Sequence, residues 1–409
     1  MKIIHSSDWH IGRALHGRKR YDEFESYLNW LLETIKQNEI NAILVAGDIF
    51  DSSVPGNRAQ ELYYRFLSEV SSSSCRHVVI IAGNHDSPSF LNAPRKLLRF
   101  LNVHVVGNSS EELNDEVLVL CDQDDKPELI VCAVPYLRDR DIRSSEAGES
   151  LEDKEKKLLD GIREHYAAVG ALAEQKRTEL GLDIPIVGMG HLFTAGGRTI
   201  EGDGVRELYI GSLALVKASS FPACFDYTAL GHLHVPQRVN GSETIRYSGS
   251  PLAIGFGEAN QKKSICQVDF ENGAVTVKLI EVPVWQKLES IKGNWNEIEN
   301  RIGELVAIDS SAWFEIIYQG DEIISDLQER VVASVEDSKL EILRIKNTRL
   351  IDRVLEQSGI EETLDDLDEH EVFERCLISH EVPEDQRREL LSTYKELLVS
   401  FYEDDRRKE

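Results

Sequence analysis

The stretch Val78-Val79-Ile80-Ile81-Ala82-Gly83-Asn84-His85-Asp86 places an apolar, β-branched run directly before a glycine and three polar residues. A continuous apolar run of this kind is typical of a strand that is buried on both faces in a parallel or mixed sheet. In open α/β sheets, ligands lie just beyond the carboxyl ends of such strands, and Gly83 permits a tight turn there. The stretch therefore predicts a buried strand that ends in a functional site.

The same pattern of an apolar run that leads into Asp or His recurs in residues 2–10, 42–48, 186–191 and 227–234. Together the five runs place seven candidate metal ligands at predicted strand ends: Asp8, His10, Asp48, Asn84, His191, His232 and His234. Carboxylate, carboxamide and imidazole groups suit Mn, Fe, Zn and similar cations, and seven such groups are too many for one ion. Two divalent metal ions are therefore implied, with Asp48 as the natural bridge because a carboxylate has two oxygens. Two such ions can clamp a phosphoryl group.

The length of 409 residues exceeds a single typical core, so we expect two domains and a terminal appendage. The first residues contain no secretory apolar segment, and no apolar run reaches the 18 residues of a membrane span. The six cysteines have no C-x-x-C spacing, which favours reduced thiols over a disulfide framework or a zinc knuckle. These features predict a soluble, cytoplasmic protein.

The net charge of -26 argues, taken alone, against a nucleic-acid partner, because neutralising phosphates requires Lys and Arg. Much of this charge lies in residues 286–409, which hold 32 acidic and 16 basic residues. The basic residues of the first part form three clusters, around Arg13, Arg95 and Arg138. For any one cluster, a solvated helix face is the more ordinary interpretation.

Helical periodicity over residues 21–38, 56–70 and 91–101 alternates with the first three strands, which favours an α/β fold with a mainly parallel sheet. The extended runs of residues 103–135 predict a second sheet or an antiparallel extension. Residues 146–181 predict an inserted helix or helical hairpin.

A change in polarity near Trp285 predicts a domain boundary. Residues 1–285 then form the first domain, and residues 286–346 form a small β-α-β-α-β domain. Residues 347–409 predict an acidic helical tail with an apolar stripe, which either packs on its own domain or docks a partner.

The ordered motifs Asp-x-His, Gly-Asp, Gly-Asn-His-Asp, Gly-His and Gly-His-x-His resemble those of the calcineurin-like metallophosphoesterases. This resemblance implies two stacked β-sheets flanked by helices, with two metal ions, most simply Mn²⁺, at the strand ends. It assigns the ligands of metal one and metal two in turn: Asp8, His10, Asp48 and His234, then Asp48, Asn84, His191 and His232.

The resemblance also implies catalytic roles for His85 and Asp51. His85 would face the substrate without binding metal, and would stabilise the transition state or protonate the leaving oxygen. Asp51 would orient the His85 ring and keep it protonated at higher pH. Alternatively, Asp51 is a helix N-cap or a turn residue.

Residues 7–12, 83–87, 135–142 and 247–251 resemble the SbcD family of nucleases more closely than the protein phosphatases, which continue Gly-Asp-x-x-Asp with Arg-Gly where this chain has Ser52 and Ser53. The resemblance implies 3′-to-5′ exonuclease activity on double-stranded DNA ends and endonuclease activity on single strands and hairpins, in DNA repair and recombination at the nucleoid. It also implies an SbcC-type ATPase partner with a coiled coil, a homodimer within a heterotetramer, a capping role for residues 286–346 and a docking role for the tail.

DNA contacts are expected from Arg13, Arg138 and Arg140. Two alternatives are a phosphoesterase of the same fold that acts on a small phosphoester, and a non-enzymatic scaffold.

Overall fold

The structure, a computed structural model, describes residues 1–110, 112–142, 150–194, 216–320 and 326–347, together with residues 322, 324, 377, 387, 390, 391 and 394. The chain divides into two units, Met1–Leu288 and Glu289–Glu409. Nearly all of the predicted tail, residues 347–409, lies outside the described part. No helix in the described part is both long enough and apolar enough to cross a membrane.

The strands of the first unit are β1 (Lys2–Ser6), β2 (Ala14–Leu15), β3 (Arg18–Lys19), β4 (Ala42–Ala46), β5 (His77–Ile81), β6 (Val103–Val106), β7 (Val117–Cys121), β8 (Pro127–Ala133), β9 (Ile186–His191), β10 (Tyr227–Gly231), β11 (Gln237–Arg238), β12 (Ile245–Tyr247), β13 (Ser264–Glu271) and β14 (Ala274–Glu281). Its helices are α1 (Tyr21–Gln37), α2 (Asn57–Ser71), α3 (Pro88–Asn92), α4 (Arg95–Leu98), α5 (Asp139–Ile142) and α6 (Leu151–Leu180).

The first sheet has the strand order β14-β13-β1-β4-β5-β6. Strands β1, β4, β5 and β6 are parallel, and the hairpin of β13 and β14 extends the sheet in an antiparallel manner on the β1 side. Helices α1 and α2 connect the parallel strands, as the alternating periodicities predict. The carboxyl ends of β1, β4 and β5 therefore lie at one edge.

The second sheet has the order β11-β12-β10-β9-β8-β7. Strands β8, β9, β10 and β12 are parallel, whereas β7 and β11 are antiparallel to their neighbours. The extended runs of residues 103–135 are thus shared between the sheets, because β6 joins the first sheet while β7 and β8 join the second.

The two sheets are stacked face to face. Along β4, Leu44 packs in a cluster that contains Val131 and Val187 of the second sheet, whereas Ile43 and Val45 pack on the opposite face with the α1 and α2 side chains. Successive strand residues point to opposite faces, so a strand that is apolar throughout fills both layers. Each fully buried aliphatic side chain contributes about 1.5–3 kcal/mol. The predicted α/β class with two stacked sheets and flanking helices is confirmed.

The helix predicted over residues 91–101 is broken in the structure. Two short helices, α3 and α4, are followed by a 3₁₀ turn at Arg99–Leu101. Pro94 lies between them as the N-cap of α4, and a proline has no N–H with which to continue a helix. The position of Pro94 therefore predicts the end of the helix better than the apolar periodicity does.

The insertion predicted over residues 146–181 contains one long helix, α6, in its described part. Ser150 and Asp153 form a capping box at its start, and Gly181 ends it with φ 63°. Both features are common helix end signals. Tyr166 and Val169 pack this helix against the outer face of the second sheet.

The second unit contains β15 (Leu288–Gly293), α7 (Trp295–Ala307), β16 (Trp313–Tyr318), α8 (Leu327–Val335) and β17 (Glu341–Asn347). Its three strands form a sheet in the order β15-β16-β17, with β16 and β17 parallel. Ile298, Phe314 and Val331 belong to its separate core. Its capping role stays a prediction.

Candidate metal centre

The polar residues at the carboxyl ends of β1, β4, β5, β9 and β10 converge at one edge of the stacked sheets. Two of the loops are tied together there, because Asp8 N donates to Gly47 O and His10 N donates to Asp48 O, each at 3.0 Å. Asp8, His10, Asp48 and His232 have φ values of 53°, 46°, 50° and 101°. Non-glycine residues rarely adopt positive φ, and such strain is concentrated at functional sites.

The first group of candidate ligands comprises Asp8, His10 and His234, whose ligand atoms lie within 4.8 Å of one another. All three side chains are buried. His10 Nε2 lies 3.2 Å from His234 Nε2 and 3.6 Å from Asp48 Oδ2. The structure thus brings together the four residues that the resemblance assigns to metal one.

The second group comprises Asp8, Asp48 and His191, again within 4.8 Å. His191 Nε2 lies 3.4 Å from Asp48 Oδ2 and 3.0 Å from Asn84 Oδ1. His232 Nδ1 lies 3.1 Å from the same Asn84 oxygen. Asp48 Oδ2 therefore faces one histidine from each group, which is the position that a bridging carboxylate requires.

The donor set fits two divalent cations. Two buried imidazole nitrogens, His10 Nε2 and His234 Nε2, face each other at 3.2 Å, although a pair of neutral rings can share only one hydrogen between them. The other ring nitrogen of His10, Nδ1, faces Asp51 Oδ1 at 3.5 Å, which leaves Nε2 for the ligand group. Nitrogen and oxygen atoms crowded in this way, from imidazole, carboxylate and carboxamide groups, are suited to borderline cations.

Electrostatics around the second group link cation binding to proton release. Although burial lowers it, the neighbouring carboxylates Asp48 and Asp8 raise the pKa of His191 to about 9. Burial has the opposite effect on Asp48, but His191 and His10 hold its pKa well below the usual value. Burial lowers the pKa of His232 to about 3, which leaves that ring neutral. A cation at this position must displace the His191 proton, so its affinity should fall at low pH.

His85 lies beside the two groups and remains partly exposed; with His10 and Asp51 it forms a third group whose ligand atoms also lie within 4.8 Å of one another. Its ring is 5.0 Å from that of His10, and its main-chain N donates to Asp48 Oδ1 at 2.9 Å. His85 Nδ1 lies 2.9 Å from the main-chain oxygen of Asp51. This contact fixes the ring and leaves Nε2 available to a substrate.

The geometry corrects one detail of the predicted Asp51 role. The Asp51 carboxylate contacts Arg13 at 2.9 Å and faces His10 Nδ1 at 3.5 Å, so only the main-chain carbonyl of Asp51 holds His85. The reason is that the loop after β4 turns the carboxylate towards the two cationic or donor groups at residues 10 and 13. Although burial opposes it, these partners lower the pKa of Asp51 to about 2.

The residues predicted to contact DNA occupy different places. Arg13 is brought to the site through Asp51. Arg138 is half-buried, and its main-chain N donates to Asp141 Oδ2 at 3.2 Å. The side chain of Arg140 lies outside the described part of the chain. DNA binding by these three residues stays a prediction.

Asp86, the last residue of the opening stretch, organises the loops around the ligand groups. Its carboxylate accepts hydrogen bonds from the main-chain N–H groups of Gly83, Ile49 and Phe50, at 2.9, 3.1 and 3.1 Å. It therefore joins the loop after β5 to the loop after β4, and fixes Asn84 relative to Asp48.

The sequence analysis missed Glu258 and Lys263, which lie behind His234. Glu258 Oε1 is 3.5 Å from His234 Nδ1, and Glu258 Oε2 accepts from Lys263 Nζ at 2.5 Å. Although burial opposes it, His234 and Lys263 lower the pKa of Glu258. In the sequence, these two residues are only a Glu and a Lys in the segment before β13. The strand-end pattern that identified the candidate ligands does not select them.

Comparisons with known proteins agree with this geometry. The calcineurin-like phosphoesterase family model matches residues 1–236, and the model described as type 5 capsule protein repressor C-terminal domain matches residues 284–381. SbcD of the nuclease SbcCD from Escherichia coli K12 is 37% identical over 394 residues, with 95% of this chain and 96% of the relative covered. The protein of the same name from Bacillus subtilis 168 is 36% identical over 294 residues, with 70% and 69% covered.

The family match spans the five strand ends that carry the candidate ligands, and the relatives extend the similarity over nearly the whole chain. The chain therefore belongs to the calcineurin-like phosphoesterase family and, within it, to the SbcD group.

Proposed function

We propose that this chain is the nuclease component of an SbcCD-type complex, and that it hydrolyses phosphodiester bonds of DNA with two Mn²⁺ ions. Family membership and the ligand set make it a metal-dependent phosphodiester hydrolase. The observation that carries the proposal is the convergence of all seven predicted ligands beside His85, in a chain similar over 95% of its length to SbcD of a nuclease SbcCD.

The proposed activities are 3′-to-5′ exonuclease action on double-stranded ends and endonuclease action on single strands and hairpins, in DNA repair and recombination at the nucleoid. Bound divalent cations would clamp the phosphoryl oxygens and act as Lewis acids. The first site would use Asp8, His10, Asp48 and His234, and the second Asp48, Asn84, His191 and His232.

The side chains around the ligands supply orientation and a proton. His85 Nδ1 lies 2.9 Å from the Asp51 main-chain oxygen, so the ring presents its Nε2 edge to the substrate. From this atom a protonated His85 would donate to the leaving oxygen. Arg13, held by Asp51, would contact a phosphate beside the scissile bond.

In this proposal, the second unit and the tail bind the DNA and the partner protein. Residues 286–346 would cap the DNA, and residues 347–409 would dock an SbcC-type ATPase with a coiled coil, in a heterotetramer built on a homodimer of this chain. A partner that contributes much of the DNA contact would reconcile the net charge of -26 with a polyanionic substrate.

The test is a digestion of end-labelled linear duplex and hairpin DNA with Mn²⁺, with and without the ATPase partner and ATP. We expect nucleotides to be released from 3′ ends and hairpins to be opened, and EDTA to abolish both. If the Mn²⁺-loaded chain cleaves a small phosphodiester such as bis-p-nitrophenyl phosphate but leaves both DNA substrates intact under every condition, the nuclease proposal is wrong.

A further inference from the structure

A buried carboxylate lies behind one of the candidate metal ligands. Glu258 is fully buried, and its Oε1 atom lies 3.5 Å from His234 Nδ1. The other ring nitrogen of His234, Nε2, faces the ligand group at 3.2 Å from His10 Nε2. The His234 ring thus presents one nitrogen to the metal position and the other to Glu258.

This orientation fixes which nitrogen carries hydrogen. An imidazole nitrogen that binds a metal must be unprotonated, so a metal at Nε2 requires the hydrogen on Nδ1. His191 shows the same arrangement, since its Nδ1 lies 2.8 Å from Ala46 O while its Nε2 faces Asp48. At His191 the outer acceptor is a neutral carbonyl, whereas at His234 it is a carboxylate.

Lys263 holds this carboxylate in place. Its Nζ donates to Glu258 Oε2 at 2.5 Å, to the main-chain oxygen of His234 at 3.0 Å and to Ser250 Oγ at 3.0 Å. Ile254 N also donates to Glu258 Oε2, at 3.0 Å. Lys263 therefore binds both the residue that backs His234 and the backbone of His234 itself, and it balances the charge of Glu258.

The other carboxylate oxygen of Glu258, Oε1, is not the acceptor for Lys263 or Ile254. Among the described residues Glu258 Oε1 finds no hydrogen-bond partner by strict geometry, although it is buried. A buried acceptor that is left unsatisfied destabilises the folded chain. The hydrogen on His234 Nδ1, 3.5 Å away, is the group that can satisfy it.

We propose that Glu258 is a positioning residue that holds His234 with its hydrogen on Nδ1 and strengthens Nε2 as a metal ligand, and that Lys263 fixes the Glu258 carboxylate for this task. The inference deepens the proposed function and rests on its metal site. Loss of such an outer partner typically reduces metal affinity about 10- to 100-fold.

The experiment compares Mn²⁺ binding to the wild-type chain and to Glu258→Gln by isothermal titration calorimetry. Glutamine keeps the shape of the side chain but removes its charge. We expect one of the two sites to weaken about 10- to 100-fold while the other keeps its affinity. The electron paramagnetic resonance signal of a spin-coupled Mn²⁺ pair should then be lost at two equivalents of metal.

The chain offers a matched control in Glu116→Gln. Glu116 is also a fully buried carboxylate beside a histidine, with Oε2 2.7 Å from His165 Nε2, but it belongs to the contact between α6 and the second sheet. Its substitution should leave both Mn²⁺ affinities at the wild-type values.

The double variant Glu258→Gln/Lys263→Gln separates positioning from a structural role, because it removes both members of the buried ion pair. The proposal requires that the Mn²⁺ affinity of the weakened site stays low in this variant, while its melting temperature in EDTA returns towards the wild-type value. If the affinity recovers together with the melting temperature, or if folded Glu258→Gln binds Mn²⁺ as the wild type does, the proposal is wrong. A wild-type chain that binds no Mn²⁺ would instead overturn the proposed function.

Discussion

At the scale of the residue, the candidate centre has two features. Several candidate ligands have a strained backbone with positive φ, and the imidazole nitrogens that point away from the ligand groups face oxygen atoms. Asp8 shows the pattern for a carboxylate, since Oδ1 accepts from His232 N at 2.9 Å and Oδ2 accepts from Ser7 Oγ at 2.5 Å. His10 and His234 face the carboxylates of Asp51 and Glu258. Such outer contacts fix ligands before a cation arrives, which reduces the cost of ordering them.

His85→Gln should reduce DNA cleavage about 10²- to 10⁴-fold, the usual contribution of a general acid, while two Mn²⁺ ions still bind. The reason is that His85 lies beside the ligand groups without belonging to the predicted set. Cleavage rates and Mn²⁺ stoichiometry measure the two effects separately. His104→Gln, which removes a histidine on β6, should change neither.

Loss of metal from His85→Gln would contradict its assigned role. Asp48→Asn provides the opposite case, because the Asp48 oxygen faces His10 and His191 at once. Asp48→Asn should therefore weaken Mn²⁺ binding at both metal positions.

His5 should make folding sensitive to acid. Burial lowers its pKa to about 3, and the neutral ring lies between Tyr227 Oη at 2.9 Å and Leu230 O at 3.1 Å. In the unfolded chain the pKa is about 6.5, so the unfolded state gains a proton first as the pH falls. The free energy of unfolding should then drop by about 1.4 kcal/mol between pH 7.5 and 5.5 from this residue.

His5→Gln should remove that share of the pH dependence, measured by urea unfolding in EDTA at the two pH values. His16→Gln removes an exposed histidine and should retain the full dependence. If the pH dependence of His5→Gln equals that of the wild type, the ring is not held neutral in the folded chain.

At the scale of the element, the site depends on how closely the loops after the parallel strands approach one another. A Cβ atom added at Gly83, at the end of β5, would collide with the carboxylate and main-chain nitrogen of Asp48 at the end of β4. A Cβ atom at Gly47 would collide with the His191 ring in the same way, and φ is 88° there. Gly83 therefore serves close packing between strand ends, whereas Gly47 serves both close packing and a turn with positive φ.

Gly83→Ala should weaken Mn²⁺ binding by about 10-fold or more, because Asp48 must move to admit the methyl group. Calorimetric titration of Mn²⁺ measures this effect. Gly303→Ala in α7 is the matched control, since a Cβ atom there meets no neighbour within 4 Å and alanine stabilises a helix by about 1 kcal/mol relative to glycine. Unchanged Mn²⁺ affinity in Gly83→Ala would show that the loop after β4 is more tolerant than the packing indicates.

At the scale of the whole molecule, the centre is confined to the first unit, Met1–Leu288. All seven predicted ligands, His85, Asp51 and the Glu258–Lys263 pair belong to it. None of these named residues lies in residues 289–409.

A chain truncated after residue 346 should therefore bind two Mn²⁺ ions as the full chain does, yet lose association with the coiled-coil ATPase. Calorimetry measures the first property, and co-purification with the partner measures the second, with the full chain as the reference. Undiminished association would refute the docking role of residues 347–409.

The sequence by itself indicated the strand ends and the seven candidate ligands. Local rules suffice for this, because a buried parallel strand reads as an apolar run and its polar residues must follow the carboxyl end. The seven candidate ligands could thus be named before their distances were known.

Only the tertiary structure decided which groups stand behind the ligands. In the folded chain the Asp51 carboxylate faces Arg13 and His10, and Asp86 accepts hydrogen bonds from three main-chain N–H groups. Glu258 and Lys263 lie behind His234. These contacts join segments distant in sequence, and they depend on sheet order and side-chain direction, which local periodicity does not encode.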